Sequence, residues 1–318
     1  MDIGLALGGL FVGFVVGLTG MGGGALMTPM LVFFFGVTPL AAVSSDLVAS
    51  AVMKPFGGAV HARHGTVNWT LVKWLVVGSV PSAFLGVFVL KALGSVAEIS
   101  DVVVTLLGVA LLVAAFSLVA KAYVGLRENA RARAAGVLPE PAGSARPAIT
   151  VRPVPTVVIG VIGGLIVGMT SVGSGSLIIV ALLLVYPSLR ASQLVGTDLV
   201  QAVPLVLAAA LGHLFYGDFQ LDVTTALLVG AIPGVILGGL ASSRAPAGLV
   251  RRALTVVLLA SGLKMVGAPV ALTAALIVAA VVLGPLLWML ARRHHGLPAR
   301  PSKVPAQREP RPVGASAP

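Results

Sequence analysis

Two short glycine-rich stretches interrupt otherwise apolar sequence and hold the residue types best suited to chemistry. The first reads Gly17-Leu-Thr-Gly-Met-Gly-Gly-Gly24, and the second reads Gly168-Met-Thr-Ser-Val-Gly-Ser-Gly-Ser176. Glycine costs about 1 kcal/mol relative to alanine inside a helix, so each stretch predicts a break in helical structure. The apolar run after each break is long enough only for a half-helix.

A half-helix that starts at such a break presents backbone N–H groups without intrahelical partners and a partial positive charge. In apolar surroundings these donors need a partner, and a small oxyanion is a suitable one. Serine and threonine hydroxyls at the breaks add further donors. We therefore predict an anion-binding site at the two breaks. Its candidate residues are Thr19, Gly20, Gly22, Gly23, Gly24, Thr170, Ser171, Gly173, Ser174, Gly175 and Ser176.

Small residues at four-residue spacing have a second explanation, because they also allow helices to pack closely. The residues that fit it are Gly9, Gly13 and Gly17 in the first half and Gly160, Gly164 and Gly168 in the second. We interpret both sets as packing residues. The consecutive Gly22-Gly23-Gly24 does not fit this spacing, which favours the binding interpretation for the breaks.

Asp46 and Asp198 are the two acidic residues, out of ten in the chain, that fall within the apolar stretches. A carboxylate in apolar surroundings is costly and therefore suits a role in carrying protons. Both residues fit helix capping equally well, because Ser44-Ser45-Asp46 and Gly196-Thr197-Asp198 resemble helix starts. The sequence leaves proton coupling and capping open.

Four further polar residues are candidates for proton coupling or gating. Lys54 either attracts an anion or extends its charge towards a membrane interface. His61 and His213 lie near helix ends, where they either sit at an interface or relay protons. Gln201 is the fourth.

Several kinds of reactive site are missing from the sequence. There is no cysteine, which excludes disulfides and thiolate metal sites. No metal-spaced His/Glu cluster, nucleophile beside a base, or phosphate-loop lysine motif is found. We therefore expect no catalytic residue, no metal and no cofactor, and a protein that is not an enzyme.

The elements that must position these residues are long apolar blocks. Hydrophobic residues make up 58% of the chain and charged residues 10%, and the mean hydropathy is +1.06. So few charges cannot cover a water-soluble domain, whereas blocks of about twenty apolar residues suit helices that cross a bilayer. The blocks cover approximately residues 3–35, 40–60, 70–90, 101–120, 156–187, 192–215, 222–243, 250–266 and 269–291.

Basic residues concentrate in one long connection and in the tail, which places both on the cytoplasmic side. This distribution explains the net charge of +11 without nucleic acid. With Arg244 also cytoplasmic, block 156–187 enters and returns on the same side, which favours a re-entrant hairpin or a pair of short helices over one straight span. We predict membrane repeat 1 at 1–121, a cytoplasmic linker at 122–155, membrane repeat 2 at 156–266, a final transmembrane helix at 267–291 and a basic disordered tail at 292–318.

The two halves of the chain contain an internal repeat. At an offset of 151 residues the two breaks align, and at 152 residues Asp46-Leu47-Val48 aligns with Asp198-Leu199-Val200 and His61 with His213. The predicted topology gives the two copies opposite orientations. Inverted repeats with interrupted segments at matching positions are typical of transporters that bind substrate at the repeat interface. We predict an all-α polytopic membrane protein with an inverted repeat of about 4+4 helical segments plus one C-terminal span.

At these motifs the chain resembles the sulfite exporter TauE/SafE family. The resemblance rests on Gly17-Leu-Thr-Gly-Met-Gly-Gly-Gly-Ala-Leu-Met-Thr-Pro-Met-Leu31 and Ser44-Ser-Asp-Leu47, and on Gly168-Met-Thr-Ser-Val-Gly-Ser-Gly175 and Gly196-Thr-Asp-Leu-Val-Gln201. It extends over nearly all of residues 1–291. The resemblance implies secondary transport of small sulfur-containing anions, such as sulfite or sulfonates, usually as export.

Together these features predict a multi-pass protein of a bacterial-type plasma membrane, with its C-terminus in the cytoplasm. We expect it to export a small anion by alternating access coupled to protons. The implied partners are the anionic substrate, protons and the lipid bilayer, and no nucleic acid; the sequence does not determine the oligomeric state. A passive anion channel is the alternative.

Overall fold

The computed structural model describes residues 2–19, 23–63, 67–92, 96–134, 149–187, 189, 191–216, 219–241 and 247–297. Within these ranges the regular structure is helical, apart from one isolated bridge between Gly173 and Gly175. The helices are α1 (Ile3–Thr19), α2 (Gly24–Phe35), α3 (Pro39–Arg63), α4 (Trp69–Ala92), α5 (Val96–Ala134), α6 (Pro153–Thr170), α7 (Leu177–Val185), α8 (Ala191–Tyr216), α9 (Leu221–Ala241), α10 (Ala247–Met265) and α11 (Val270–His294).

Length and composition decide which helices can cross a bilayer. In the described ranges six helices are long and apolar enough, namely α4, α5, α6, α8, α9 and α11. A helix satisfies its backbone hydrogen bonds internally, as a bilayer core requires. Large apolar side chains such as Phe116, Leu240 and Val270 point outwards, where lipid can cover them. The predicted all-α polytopic membrane fold is confirmed.

Each broken segment folds back on itself as a hairpin of two helices. In the second, the Tyr186 hydroxyl at the end of α7 lies 2.6 Å from the Thr156 hydroxyl and accepts a 2.9 Å hydrogen bond from the Arg152 N–H, next to the start of α6. In the first, the Phe35 ring at the end of α2 lies beside Gly4, near the start of α1. Each hairpin therefore starts and ends at the same end of the bundle, as the charge pattern predicts for residues 156–187.

Helix packing follows the internal repeat. Helix α1 packs along α9, and its counterpart α6 packs along α4, the counterpart of α9. Helix α3 packs against its own counterpart α8, and α5 against its own counterpart α10. The two halves interlock, because each hairpin lies against a helix of the other half. This pattern agrees with a two-fold relation between the halves; their opposite orientation in the membrane stays a prediction.

Glycines bring the paired helices into backbone contact. A Cβ atom at Gly9 of α1 would lie 2.6 Å from the Leu227 carbonyl oxygen of α9. A Cβ atom at Gly160 of α6 would lie 2.5 Å from the Leu75 carbonyl oxygen of α4. Real Cβ atoms do not approach other atoms this closely, so these helices touch because the positions are glycine. The packing role predicted from the four-residue spacing is confirmed.

Two apolar clusters fill the space between the helices. The larger one includes Leu107 of α5 and Ile178 of α7, and the smaller one joins α1, α2, α3 and α9 through residues such as Met27 and Leu227. Helix α11 packs against α10 and has no buried residue. The hairpins therefore belong to the packed interior of the bundle, and α11 lies at its periphery.

The structure moves the boundaries of two predicted regions. Helix α5 continues to Ala134 and α6 starts at Pro153, so the linker predicted for 122–155 is helical at both ends. Helix α11 extends to His294, into the tail predicted for 292–318. Residues 135–148 and 298–318 lie outside the described ranges. The longer α5 has a consequence for the site, because it places Lys121 inside a helix.

The contact between α1 and α9 can be tested with a pair of variants. Gly234→Val adds a branched side chain where even a Cβ would lie 2.9 Å from the Phe14 backbone nitrogen, so we expect a loss of about 1–3 kcal/mol of stability. Gly284→Val in α11 makes the same change of residue type where a Cβ meets nothing within 4 Å. Thermal unfolding of the purified proteins in detergent compares them. Equal unfolding temperatures would contradict the close contact.

Candidate functional site

The two breaks meet, and a cavity lies at their junction. Gly24, the first residue of α2, is so close to the second break that a Cβ there would lie 2.9 Å from the Ser171 carbonyl carbon. The cavity is lined by Gly24 and Ala25 on one side, by residues 171–176 on the other, and by α5 and α10. About 380 Å³ of space free of protein atoms lies there, part of it open to solvent.

The second break is a tight loop with unusual backbone angles. Ser171 ends α6 with a φ of 58°, Gly173 has a φ of 131° and Gly175 a φ of 99°. Side chains disfavour positive φ, which explains glycine at two of these three positions. Ser171 is the one described residue other than glycine that adopts a positive φ. Its conformation aims the hydroxyl back towards α3, as the hydrogen bonds below show.

The N–H groups at the start of α7 are already used within this loop. Those of Ser176, Leu177 and Ile178 donate to the Gly173 carbonyl oxygen at 3.2, 3.0 and 3.4 Å. They are therefore not available to an anion, contrary to the expectation from sequence. In the first break, Gly24 and Ala25 begin α2 at the cavity wall, and helix geometry gives their N–H groups no intrahelical acceptor.

Two lysines from different helices reach the second break. The Lys54 ammonium of α3 donates to the Ser174 hydroxyl, and the Lys121 ammonium of α5 donates to the Gly175 carbonyl oxygen. Lys54 is 7% exposed, so the alternative that it extends to a membrane interface is wrong. Charges interact strongly away from water, and two ammonium groups on one short loop make the cavity attractive to an anion.

Asp46 of α3 lies between the two breaks and is surrounded by hydroxyl groups. Its carboxylate accepts hydrogen bonds from Ser171 at 2.5 Å, from Thr28 at 3.0 Å and from Ser50 at 3.4 Å. A Cβ at Gly23 would lie 3.5 Å from the same carboxylate, so the first break also contacts it. Asp46 therefore links both hairpins to α3.

Asp198 of α8, which matches Asp46 in the repeat, faces a different set of groups. Its carboxylate accepts hydrogen bonds from the Gly175 N–H and from the Gln201 amide nitrogen, the latter at 3.2 Å. Lys121 and Lys54 both interact with it electrostatically. Asp198 thus contacts the second break at Gly175, whereas Asp46 contacts it at Ser171.

Capping does not explain either aspartate. Helix α3 begins at Pro39 and α8 at Ala191, so Asp46 and Asp198 lie two turns inside their helices. An N-cap residue lies at the boundary of a helix and bonds to the first free N–H groups. Both carboxylates are fully buried and instead bind groups of other segments. Of the two interpretations from sequence, capping is wrong, and proton coupling stays a prediction.

His213 is buried and connects three helices. Its Nε2 lies 2.7 Å from the Gly168 carbonyl oxygen of α6, and its Nδ1 lies 2.7 Å from the Ser44 hydroxyl of α3. A carbonyl only accepts, so Nε2 carries a hydrogen. The interpretation that His213 lies at a membrane interface is therefore wrong. Its role as a proton relay stays a prediction. His61 lies in α3, and its side chain is outside the described part of the structure.

The two threonines of the predicted site bond to their own helices. Thr19 donates to the Val15 carbonyl oxygen at 2.8 Å, and Thr170 donates to that of Ile166 at 2.7 Å. Neither lines the cavity as described. Gly20 and Gly22 lie outside the described residues. The structure therefore brings together Gly23, Gly24 and residues 171–176 with the two lysines and two aspartates.

Comparison with known proteins places this arrangement in a family. The family model described as sulfite exporter TauE/SafE matches residues 5–265, which include both hairpins and all the residues of the junction. The chain belongs to the sulfite exporter TauE/SafE family. This assignment confirms the resemblance seen in the glycine motifs and makes the protein a member of a membrane transporter family.

Two relatives of this chain have names that describe membrane transport in general terms. This chain is 36% identical over 267 residues to the probable membrane transporter protein YjnA of Bacillus subtilis (strain 168), and the match covers 84% of this chain and 100% of the relative. It is 35% identical over 78 residues to the probable membrane transporter protein YunE of the same strain, which covers 24% of this chain and 28% of the relative. No solved structure gives a significant match.

Lys121 is the functional candidate of this TauE/SafE protein that sequence reasoning missed. Lys121 is the last residue of the predicted membrane repeat 1, and the sequence contains a helical signal that reaches it. Ala114, Ser117 and Lys121 follow one another at three and four residues, and therefore share one helix face. Ala114 and Ser117 of that face line the cavity, and the Ser117 hydroxyl also donates to the Ser176 carbonyl oxygen at 3.1 Å.

The conformation of Ser171 can be tested separately from its hydroxyl. Ser171→Gly removes the hydroxyl and allows the φ of 58°, whereas Ser171→Val removes the hydroxyl and forces a branched residue into that φ. Left-handed backbone costs a residue with a Cβ roughly 1–2 kcal/mol. We expect the valine variant to unfold at a lower temperature than the glycine variant in detergent. The reverse order would contradict the loop geometry.

Proposed function

We propose that this protein is a secondary transporter that exports small sulfur-containing or organic anions, such as sulfite or sulfonates, by alternating access coupled to protons. It catalyses no chemical reaction. It resides in a bacterial-type plasma membrane with its C-terminus in the cytoplasm, since the basic residues Arg292 and Arg293 end α11. Membership of the TauE/SafE family supports the transport of sulfur-containing anions.

The observation that carries the proposal is the cavity between the two hairpins. Its wall includes the hydroxyls of Ser171 and Ser174, and the ammonium groups of Lys54 and Lys121 bond to the same loop at Ser174 and Gly175. Charged donors form stronger hydrogen bonds with oxyanions than neutral donors do. The cavity lies at the interface of the two repeats, where transporters of this architecture bind their substrates.

Alternating access is supported by the way the halves interlock. The cavity wall comes from Gly24 and Ala25 of one hairpin and from residues 171–176 of the other. A movement of one hairpin together with its partner helix, α1 and α2 with α9, relative to α6 and α7 with α4, therefore opens or closes the cavity without unfolding any helix. The buried carboxylates of Asp46 and Asp198 support coupling to protons, since an intramembrane carboxylate beside a substrate site is typical of proton relays.

A transport assay with defined gradients tests the function. Purified protein in liposomes is given sulfite, sulfate, thiosulfate, sulfoacetate or methanesulfonate, each with and without an imposed proton gradient. We expect saturable flux of at least one sulfite- or sulfonate-type anion and accumulation driven by the proton gradient. Flux that follows only the membrane potential and ignores the proton gradient would identify a passive anion channel instead.

The lysines give a more specific prediction for binding. Charge-assisted hydrogen bonds contribute about 1.5–3 kcal/mol, so Lys54→Gln and Lys121→Gln should each weaken binding of the transported anion by about tenfold or more. Lys73→Gln is the matched control, because Lys73 is exposed on α4. Isothermal titration or competition of flux gives the affinities. Unchanged affinity in both site variants would place the anion elsewhere.

A further inference from the structure

The hydrogen-bond partners of Asp46 can stabilise this carboxyl group with or without a proton. They are the hydroxyls of Thr28, Ser50 and Ser171. A hydroxyl can donate or accept, so it bonds to an ionised carboxylate as a donor and to a carboxylic acid as an acceptor. A proton can therefore be added to Asp46 without leaving a buried polar group unpaired.

The partners of Asp198 favour the ionised form. The Gly175 N–H is an obligate donor, and the Gln201 amide donates through its nitrogen while its oxygen accepts from Ser79 at 3.4 Å. A proton on Asp198 would also cancel its attraction to two ammonium groups, which would then be buried without their counter-charge. Lys54 interacts electrostatically with Asp198 as well as with Asp46.

The sequence register shows that this difference is built into the two halves. The residues that match Thr28 and Ser50 in the second half are Ile179 and Ala202, which have no hydroxyl. Conversely, the residue that matches Gln201 in the first half is Ala49. The two aspartates therefore occupy equivalent positions with different chemistry.

We propose that Asp46 binds the coupled proton and that Asp198 stays ionised as the fixed counter-ion of Lys54 and Lys121. This inference rests on the proposed function, since it assigns the coupling step of the same site. It separates the roles of two residues that the sequence treats as equivalent.

Ser171 connects the proton on Asp46 to the cavity. Its single hydroxyl hydrogen points to Asp46 while that carboxylate is ionised, at a distance of 2.5 Å. When Asp46 takes up a proton, the proton is donated to the Ser171 oxygen, and the Ser171 hydrogen turns to the cavity that this residue lines. An anion gains this donor only when the proton is present. Proton and anion therefore bind together and cross in the same direction, so net export occurs when the outward anion gradient exceeds the inward proton gradient.

Charge balance also favours binding of a proton together with the anion. Two lysines and two aspartates at the junction sum to zero, so a monovalent anion alone would leave one negative charge buried. One proton on Asp46 removes that charge, and burying an uncompensated charge is costly. The coupling ratio that follows is one proton per monovalent anion.

Few other charges act on Asp46. Helix α3 packs against α2, α5, α8 and α9, and Lys54 is the described group whose charge interacts with Asp46. Helix α2 contains no titratable residue, and the acid of α9 is Asp222, exposed at its first turn. The titratable groups that α5 and α8 bring to the junction are Lys121, Asp198 and His213.

Infrared spectroscopy shows which aspartate takes the proton. As the pH of full-length protein in liposomes is lowered without substrate, wild type should develop the C=O stretching band of a buried carboxylic acid. The band should be lost in Asp46→Asn and kept in Asp222→Asn. It should also be kept in Asp198→Asn/Lys121→Gln, which removes one charge of each sign and so avoids an unpaired buried lysine. A band that persists in Asp46→Asn and disappears with Asp198 would overturn the assignment.

Binding of methanesulfonate, whose charge does not change over the working pH range, tests the coupling. Over the pH range in which Asp46 of the substrate-free protein is ionised, wild type should bind about tenfold more tightly per unit decrease in pH, as one linked proton requires. At lower pH the affinity should become constant. Asp46→Asn carries an amide that donates to Ser171 as the acid would, so its affinity should be high and independent of pH. Ser171→Gly should bind more weakly and lose most of the pH dependence.

The outcomes separate this inference from the proposed function. A normal pH dependence in Asp46→Asn would overturn the coupling through Asp46, whatever is transported. A wild type that binds and moves none of the five anions, yet shows the infrared band that Asp46→Asn lacks, would overturn the proposed function and support the assignment of the proton to Asp46.

Discussion

The contact between Gly24 and Ser171 is the constraint on which the rest of the site depends. It joins the start of α2 in one half to the end of α6 in the other, at a distance that excludes a side chain at Gly24. Each hairpin is also fixed along a helix of the opposite half by glycine contacts such as Gly9 to Leu227. The cavity is therefore a product of both halves, and neither half contains it alone.

The second break explains why charged side chains are buried at this junction. A loop that ends one helix and starts another inside a packed bundle needs partners for its polar groups, because unpaired ones are costly away from water. The Gly173 carbonyl satisfies the start of α7, and Lys121 satisfies the Gly175 carbonyl. A buried ammonium group in turn needs a counter-charge, which Asp198 supplies. The acid and the lysines are thus consequences of a single broken helix.

Much of the fold could be predicted from the sequence, because the signals for it are local. The length of the apolar runs predicted the helices, and the two glycine-rich stretches predicted the breaks. The positions of the basic loops predicted the hairpin form of residues 156–187. The partners of the polar residues could not be predicted in this way. The hydrogen bond from Ser171 to Asp46 joins residues 125 apart, and that from Lys54 to Ser174 joins residues 120 apart. Spacing along one helix contains no information about such pairs.

The internal repeat suggested equivalent site residues in the two halves, although the halves differ in their polar side chains. Asp46 and Asp198 match in register, which suggests equal roles, but Lys54 matches Val206. The hydroxyl-bearing Thr28 and Ser50 beside Asp46 match Ile179 and Ala202. Both lysines come from the first half and bind the second break. Duplication has therefore preserved the backbone arrangement of the site, while its donors and acceptors are distributed unequally.

Because Asp46 and Asp198 have different surroundings, protonation of Asp46 can be coupled to movement at the junction of the two hairpins. The hydrogen bond from Ser171 to Asp46 spans the junction, so any separation of the second break from α3 must break it. A hydrogen bond to an ionised carboxylate is roughly twice as strong as a neutral one. Protonation of Asp46 weakens the bond that holds the junction closed and, at the same time, releases the Ser171 hydrogen to the anion. The same two atoms then couple substrate binding to the conformational change that carries the substrate across.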